Sequence, residues 1–556
     1  MKKYNTLSVV LFTILFVFLL TWILPITYLN GEFVSAERAQ AGITELFSYP
    51  VFTFYNFIYI LVYLLAVGGL YGILNKTSAY RLVLDKIVNF IKGKELIFFI
   101  PTVLVLATIV SFTGFTFEAL VFLPFIAAIV FLLGYDKITA AMTTIGSISV
   151  GIIGTTFSNL VAGSFNKILS TKFFDLWYVK VILLVLGSVI LIVNIILHNR
   201  KVRELPGEKI EENIFVPEKV KDKNVKLWPL ITIFTVFVLI FVVSTIAWAE
   251  AFEVTFFTKS LQSIMSYRVL DRYIVLGVSL LVVLVNVITY IVRRRKATKA
   301  KKDASIRALM SKTRIIVTSV FMALFVLAFA KIFLEEVFEV TNIFTKALKT
   351  IKLNSIIDGF TFSTLLGGVA PMGAWTYNEY IVWLIIITVI IKLVYSVKFS
   401  DAVNSYGNGM KKVLYGAMVS ILAYTALIMT SNHPVILTAL KPILLLTDGL
   451  NNLTLPLCTF VSALFNTDFS YYNYGVLTLS YVTSYITDTT VYPLCAIITQ
   501  GMHGLAMLVA PTSVVMLFSL ATLKINYFEW LKHIWKLFVE LLVVLLITFM
   551  VVLLLI

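Results

Sequence analysis

Residues Met502–Leu517 read MHGLAMLVAPTSVVML. The stretch lies inside a long apolar run, where a helix crossing a bilayer has no need of anything but apolar side chains. Yet it carries His503, the flexible Gly504 with Gly501 just before the stretch, Pro511, and the pair Thr512–Ser513. Glycine and proline weaken a helix, and hydroxyls beside a break can partner the backbone groups it frees. Broken backbone at membrane depth is tolerated only where it is buried in protein or lines a wet cavity. The reading of this break therefore decides between a plain bundle and a chain built around an internal site.

The rest of the sequence supplies the frame. Of 556 residues, 60% are hydrophobic and only 13% are charged, and mean hydropathy is +0.97. Apolar runs of about 18 residues or more recur along the chain. The fold class expected is an all-α polytopic membrane protein with about 11–13 spans. The alternation in segments of about ten that marks a β-barrel is absent. The net charge of +16 reads as orientation signal in connecting loops, not as a nucleic-acid surface. Cys458 and Cys495 lie in apolar runs and read as small core residues.

The basic start MKKYN is followed by an apolar run of about 20 residues, longer than the 7–15 of a signal peptide. It reads as an uncleaved first span with a cytoplasmic start. Lys76, Arg81, Lys86, Lys92 and Lys94 return the chain inside after the second span. Residues 199–226 form the longest polar stretch and read as a mobile cytoplasmic linker. RRRKATKAKK at 293–302 opens a second inside loop, 293–313, between the connecting spans of 227–337. The expected location is the cytoplasmic membrane, multi-pass, with the N-terminus inside and the C-terminus outside.

Landmarks recur about 355 residues apart. VSFTGFTFEALVF at 110–122 answers to LFNTDFSYYNYGV at 464–476, and Gly146 to Gly501. GIIGTTFSNLVAG at 151–163 answers to AMLVAPTSVVMLF at 506–518, and KFFDLW at 172–177 to NYFEWL at 526–531. The second span, near 52–74, answers to about 412–431. An odd number of spans separates the halves, so they enter the membrane in opposite senses. Two inverted repeats follow, each with a re-entrant hairpin and a broken helix. The first occupies 1–198, with its hairpin about 97–133 and its broken helix about 138–165. The second occupies 338–556, with its hairpin about 452–486 and its broken helix about 488–523. Inverted repeats whose interrupted segments meet near the midplane are the architecture of many secondary transporters.

Three pieces carry a family resemblance: FTFEALVFLPFIAAIVFLLGYDKITA (115–140), SYGNGMKKVLYGAMVSILAYTALIM (405–429) and LVAPTSVVMLFSLATLKINYFEWLKHIWKL (508–537). They resemble the ion transporter superfamily, nearest its C4-dicarboxylate anaerobic carrier branch. That branch also holds basic amino acid antiporters and is related to p-aminobenzoyl-glutamate transporters. The resemblance implies two inverted halves and elevator-like alternating access.

Glu118 sits in an apolar hairpin with no basic neighbour in sequence, and Asp468 sits at the matching tip. An intramembrane carboxylate costs at least about 2.5 kcal/mol, which makes both functional candidates. Ser111, Thr113 and Thr116 at the first tip, and Asn466, Thr467, Ser470 and Asn473 at the second, are short oxygen donors suited to a cation or a carboxylate. Thr155, Thr156, Ser158 and Asn159 mark the first break, and Thr512 and Ser513 the second. His503 is a candidate proton carrier. Asp488 and His433 read as helix caps.

The function expected is secondary active transport of a small organic solute, an amino acid or a carboxylate, by cation symport or exchange. The coupling ion is Na+ or H+, with no bound cofactor and no resident metal. The partners are the solute and the lipid bilayer, with no nucleic acid; a homodimer is the expected assembly. No Walker A string, metalloprotease, aspartyl protease or prenyltransferase motif occurs, so the chain does not read as an enzyme. A membrane-embedded enzyme and a channel are the alternative classes. A C4-dicarboxylate is the alternative substrate.

Overall fold

The computed structural model describes residues 6–23, 26–29, 32–35, 40–204, 215–217, 225–260, 268–296, 312–337, 368–433, 436, 439–440, 454–467, 486 and 488–556. The chain forms two units, one of residues 1–255 and 372–556, the other of residues 256–371. The smaller contains helices Arg268–Lys296 and Lys312–Val337, which pack on each other.

Among the described residues the larger unit is built of helices and their connections, with one short hairpin, Ile26–Leu29 paired with Glu32–Ser35. Its elements, in chain order, are α1 (Thr6–Ile23), α2 (Ile43–Lys76), α3 (Ser78–Ile91), α4 (Leu96–Thr113), α5 (Leu123–Leu132), α6 (Lys137–Ala141), α7 (Ser147–Ile153), α8 (Ala162–Leu169), α9 (Trp177–Glu204), α10 (Trp228–Val243) and α11 (Trp248–Phe252). After the smaller unit come α12 (Tyr377–Val394), α13 (Phe399–Asn432), α14 (Leu455–Phe465), α15 (Tyr492–Ala506), α16 (Val514–Leu523) and α17 (Tyr527–Leu555).

Seven of these, α1, α2, α4, α9, α12, α13 and α17, are long and apolar enough to cross a membrane. Shorter apolar helices are also present among the described residues. The protein is an all-α polytopic membrane protein, as its composition requires. The most apolar window of α13 is 78% buried and that of α2 67%, against 28% for α12. The first two therefore form the centre, and α12 turns most of its surface outward. Leu11, Phe12, Phe16 and Trp22 of α1 are exposed, as side chains facing lipid should be.

Counterpart helices pack directly on one another, and each pair runs antiparallel. Along α2, Tyr49, Phe57 and Gly68 meet His433, Tyr424 and Val413 of α13 in reversed order. The Phe57 and Tyr424 rings stack at 4.3 Å. In the interrupted helices, Ser149 donates its hydroxyl to the carbonyl of Gly504, 355 residues on. Gln500 reaches Ile153 in the same pair. Between α9 and α17, Gly187 lies against Leu541, Asn194 bonds Glu540 at 2.5 Å, and the His198 and His533 rings meet at 5.4 Å. Residues that correspond in the two halves can touch only where a two-fold relation folds the chain back on itself. The repeats are inverted.

Packing repeats with the sequence. A Cβ at Gly146 would strike Leu191, and one at Gly501 would strike Leu545. Both positions are glycine because a long helix crosses each interrupted helix there at close range. Likewise α7 lies on α4, and α15 lies on α14 through Ala463 and Ala506.

The caps follow local rules. Asp136 accepts from the Thr139 amide at 2.8 Å to start α6, Asp488 from Thr490 at 2.9 Å, and Asn526 from Phe528 at 3.0 Å. Asp488 is thus a cap, as its place before the second broken helix implied. Two described residues of the 199–226 stretch are docked against the helices. Phe215 and Pro217 are buried, and Arg81 donates to the Pro217 carbonyl at 2.7 Å. A polar stretch does not imply an undocked one when it contains an aromatic–proline pair.

Candidate functional site

The first hairpin ends its outgoing helix at Gly114, whose φ is +72°. A side chain there would be strained, and a Cβ would also strike Ser158 and Val161. The chain then turns through a 3-10 helix, Phe117–Phe122, into α5. Close approach at Gly114 brings the hairpin tip against the first break.

That break runs from Gly154 to Val161, and hydroxyls close it. Ser111 donates to the Gly154 carbonyl at 2.6 Å, and the Thr156 amide returns a bond to the Ser111 carbonyl at 2.9 Å. Ser158 donates to the Thr113 carbonyl at 2.7 Å and accepts from the amides of Leu160 and Val161, both at 3.1 Å. Thr155 bonds back to Ile152 at 2.9 Å. Asn159 donates to the Gly373 carbonyl at 3.0 Å. Thr113 caps its own helix end through Ile109 and Phe115. Ser111, Thr113, Thr155, Thr156 and Ser158 thus form one buried network, with Asn159 at its edge. A pocket of about 580 Å3 opens beside Asn159, lined also by Lys167, Lys172, Phe252, Glu250 and Glu253.

Glu118 lies outside that network but in the same tip. It is 2% exposed. Its carboxylate accepts from the Thr116 amide at 3.0 Å, and its carbonyl accepts from the Tyr63 hydroxyl at 2.6 Å. The Phe117 ring beside it contacts Tyr63 and Tyr377 at 5.7 and 5.2 Å.

The second break, Met507–Ser513, uses the same device. Thr512 donates to the Leu464 carbonyl at 2.8 Å, tying the break to the end of α14 as Ser158 ties the first to α4. Ser513 caps α16. Asn466 and Thr467 are buried just past α14. Tyr527 and Trp530 donate to the carbonyls of Val509 and Leu508 at 2.6 and 2.8 Å. His503 is buried, and its Nδ1 lies 2.9 Å from the Thr499 carbonyl. That carbonyl can only accept, so Nδ1 carries the proton. Asp468, Ser470 and Asn473 lie outside the described residues. Among the described residues, no cluster of His, Cys, Asp and Glu could hold a metal ion.

Reading the sequence did not single out Gln500, Ser149, Tyr63 or Lys180. Lys180 is 5% exposed and donates to the Phe173 carbonyl at 3.2 Å, while its own carbonyl packs on Gly154. The signal for Lys180 is one lysine in the apolar run YVKVILL; for Gln500 it is one amide beside Gly501. Tyr63 carries no local signal at all. Tyr527 and Trp530 belong to a repeat landmark whose purpose appears only in the fold.

Interrupted helices paired across an inverted repeat, in an apolar helical frame, are an arrangement that many transporters share. The model of the family described as C4-dicarboxylate anaerobic carrier matches residues 5–270 and 260–556. The chain belongs to that family and is a transporter of it. Among solved structures it is similar to the YdaH transporter of Alcanivorax borkumensis, at 13% identity over 98% of each chain and a TM-score of 0.34. No curated protein matches it in sequence.

Proposed function

We propose that the protein carries a small carboxylate-bearing solute across the cytoplasmic membrane, with a C4-dicarboxylate as the leading substrate, by cation symport or exchange. The observation that supports this reading best is the direct contact of the two interrupted helices, each break tied to its own hairpin by hydroxyl-to-carbonyl hydrogen bonds. Such joints present polar groups at membrane depth without leaving backbone unsatisfied. Breaking and remaking a few weak bonds at each joint suits alternating access of the elevator kind. The family supports a dicarboxylate, and Lys180 adds a buried cation behind the first break. Glu118 supports a second reading, in which the amine of an amino acid is held. In either reading Glu118, with Asp468 at the other tip, serves the coupling Na+ or H+.

Uptake of labelled succinate and labelled lysine into proteoliposomes, with imposed Na+ or pH gradients, tests the proposal. Saturable, gradient-driven uptake of one of them is expected. Uptake that never saturates would identify a channel, and absence of any flux would remove the transporter reading.

A further inference from the structure

Six successive carbonyls end the first half-helix, and each already has a protein donor. Val150 accepts from the Gly154 amide, Gly151 and Ile152 from Thr155, and Gly154 from Ser111. Ile153 and Thr155 are served from the other repeat. The side-chain amide of Gln500 donates to both, at 3.2 and 3.1 Å. Gln500 is 1% exposed and lies on α15, four residues before Gly504, where a Cβ would strike Ile153 and the Ser149 carbonyl. An α-helix leaves its last four carbonyls without internal partners. In transporters built this way, such ends coordinate cations. A donor that spans two of them competes with a cation for the same lone pairs.

We propose that Gln500 is a positioning residue of the transport site: through its amide the second repeat holds the backbone of the first break and closes that break's carbonyl end to cations. The inference rests on the transporter reading and adds to it. The first break then offers the solute its hydroxyls, while cation coupling is carried elsewhere, at the carboxylates. Ile145, the residue 355 positions earlier, is apolar. The tether is therefore one-sided, and the two breaks are not interchangeable.

Three variants test this. Gln500→Leu removes both donors. Gln500→Asn is one methylene too short to span both carbonyls. Gln500→Glu replaces two donors with an acceptor, and on acidification the carboxyl gains one O–H. In proteoliposome uptake of succinate or lysine, whichever the wild type carries, Gln500→Leu should raise apparent KM about tenfold, the scale of one to two lost buried hydrogen bonds. Its maximal rate should stay within about twofold, and Gln500→Asn should fall between. The KM of Gln500→Glu should drop toward the wild-type value as pH falls and its carboxyl takes up a proton, and that of Gln500→Leu should not.

Hydrogen exchange on the detergent-solubilised protein gives a readout independent of transport. Amides 154–160 should exchange about tenfold faster in Gln500→Leu, with α4 unchanged. An unchanged KM in both Gln500→Leu and Gln500→Asn, or a loss confined to maximal rate, overturns the proposal. Should Gln500→Leu fail to fold, the pH response of Gln500→Glu decides alone, and a flat profile overturns it. A wild type that carries neither solute while the exchange result holds would sink the transporter reading and leave the tether standing.

Discussion

Thr512 shows what one hydroxyl does in this protein. Its bond to the Leu464 carbonyl closes the second break onto its hairpin. Thr512→Val keeps the shape and removes the donor, so a buried carbonyl loses its partner. Thermal unfolding in detergent should report a loss of about 1–3 kcal/mol, the cost of an unsatisfied buried group. A stability within about 0.5 kcal/mol of wild type would show that the carbonyl finds another donor. Glu118 makes a different test. Glu118→Gln preserves size and can still accept from the Thr116 amide, so folding and membrane insertion should persist. Gradient-driven uptake in proteoliposomes should be abolished. Uptake at the normal rate with unchanged cation dependence would make this carboxylate structural.

Asp136 belongs to the scale of elements. It starts α6 through the Thr139 amide and hydroxyl, at 2.8 and 2.7 Å, and holds His198 of α9 at 3.0 Å. One side chain thus fixes where the first interrupted helix begins and docks it on the neighbouring long helix. Burial alone would raise the Asp136 carboxyl, but the bonds from His198 and Thr139 outweigh it and hold the group below the usual aspartate range. A pKa lower in the folded state than the unfolded value of about 3.9 means stability that is present above that value. It is lost as pH falls through the folded pKa. Asp136→Ala should lower stability by about 1–2 kcal/mol at neutral pH, the worth of a cap. The gap to wild type should close below about pH 4, as the wild-type carboxyl takes up its proton. Melting curves over that range check the direction; a gap that widens in acid would contradict it.

At the scale of the whole molecule, the testable consequence is orientation. From the Lys/Arg excess in the loops after α2, at 199–226 and at 293–313, the N-terminus and both long loops are expected on the cytoplasmic side. The antiparallel pairing of α2 with α13, of the two interrupted helices, and of α9 with α17 means that reversing one half reverses the other. Cysteines introduced at 293–313 should react with impermeant reagent only after the inner face is opened. Labelling from outside in intact cells would overturn the assignment.

Composition and hydropathy by themselves determined the helical membrane frame, because an apolar run needs no partner to declare itself. The offset of about 355 and the two breaks were also legible. Glycine and proline act on their own backbone, within a turn of where they stand. Even the inversion followed from counting spans between landmarks. Only the tertiary structure decided which donor meets which carbonyl. Gln500 serves a carbonyl 347 residues away, Ser149 one 355 away, and Trp530 closes a break that precedes it by 22. Nothing near Gln500 in sequence distinguishes it from an amide facing lipid headgroups or water. Its role exists because two helices from different halves of the chain approach closely at Gly504, near enough for one side chain to reach both carbonyls.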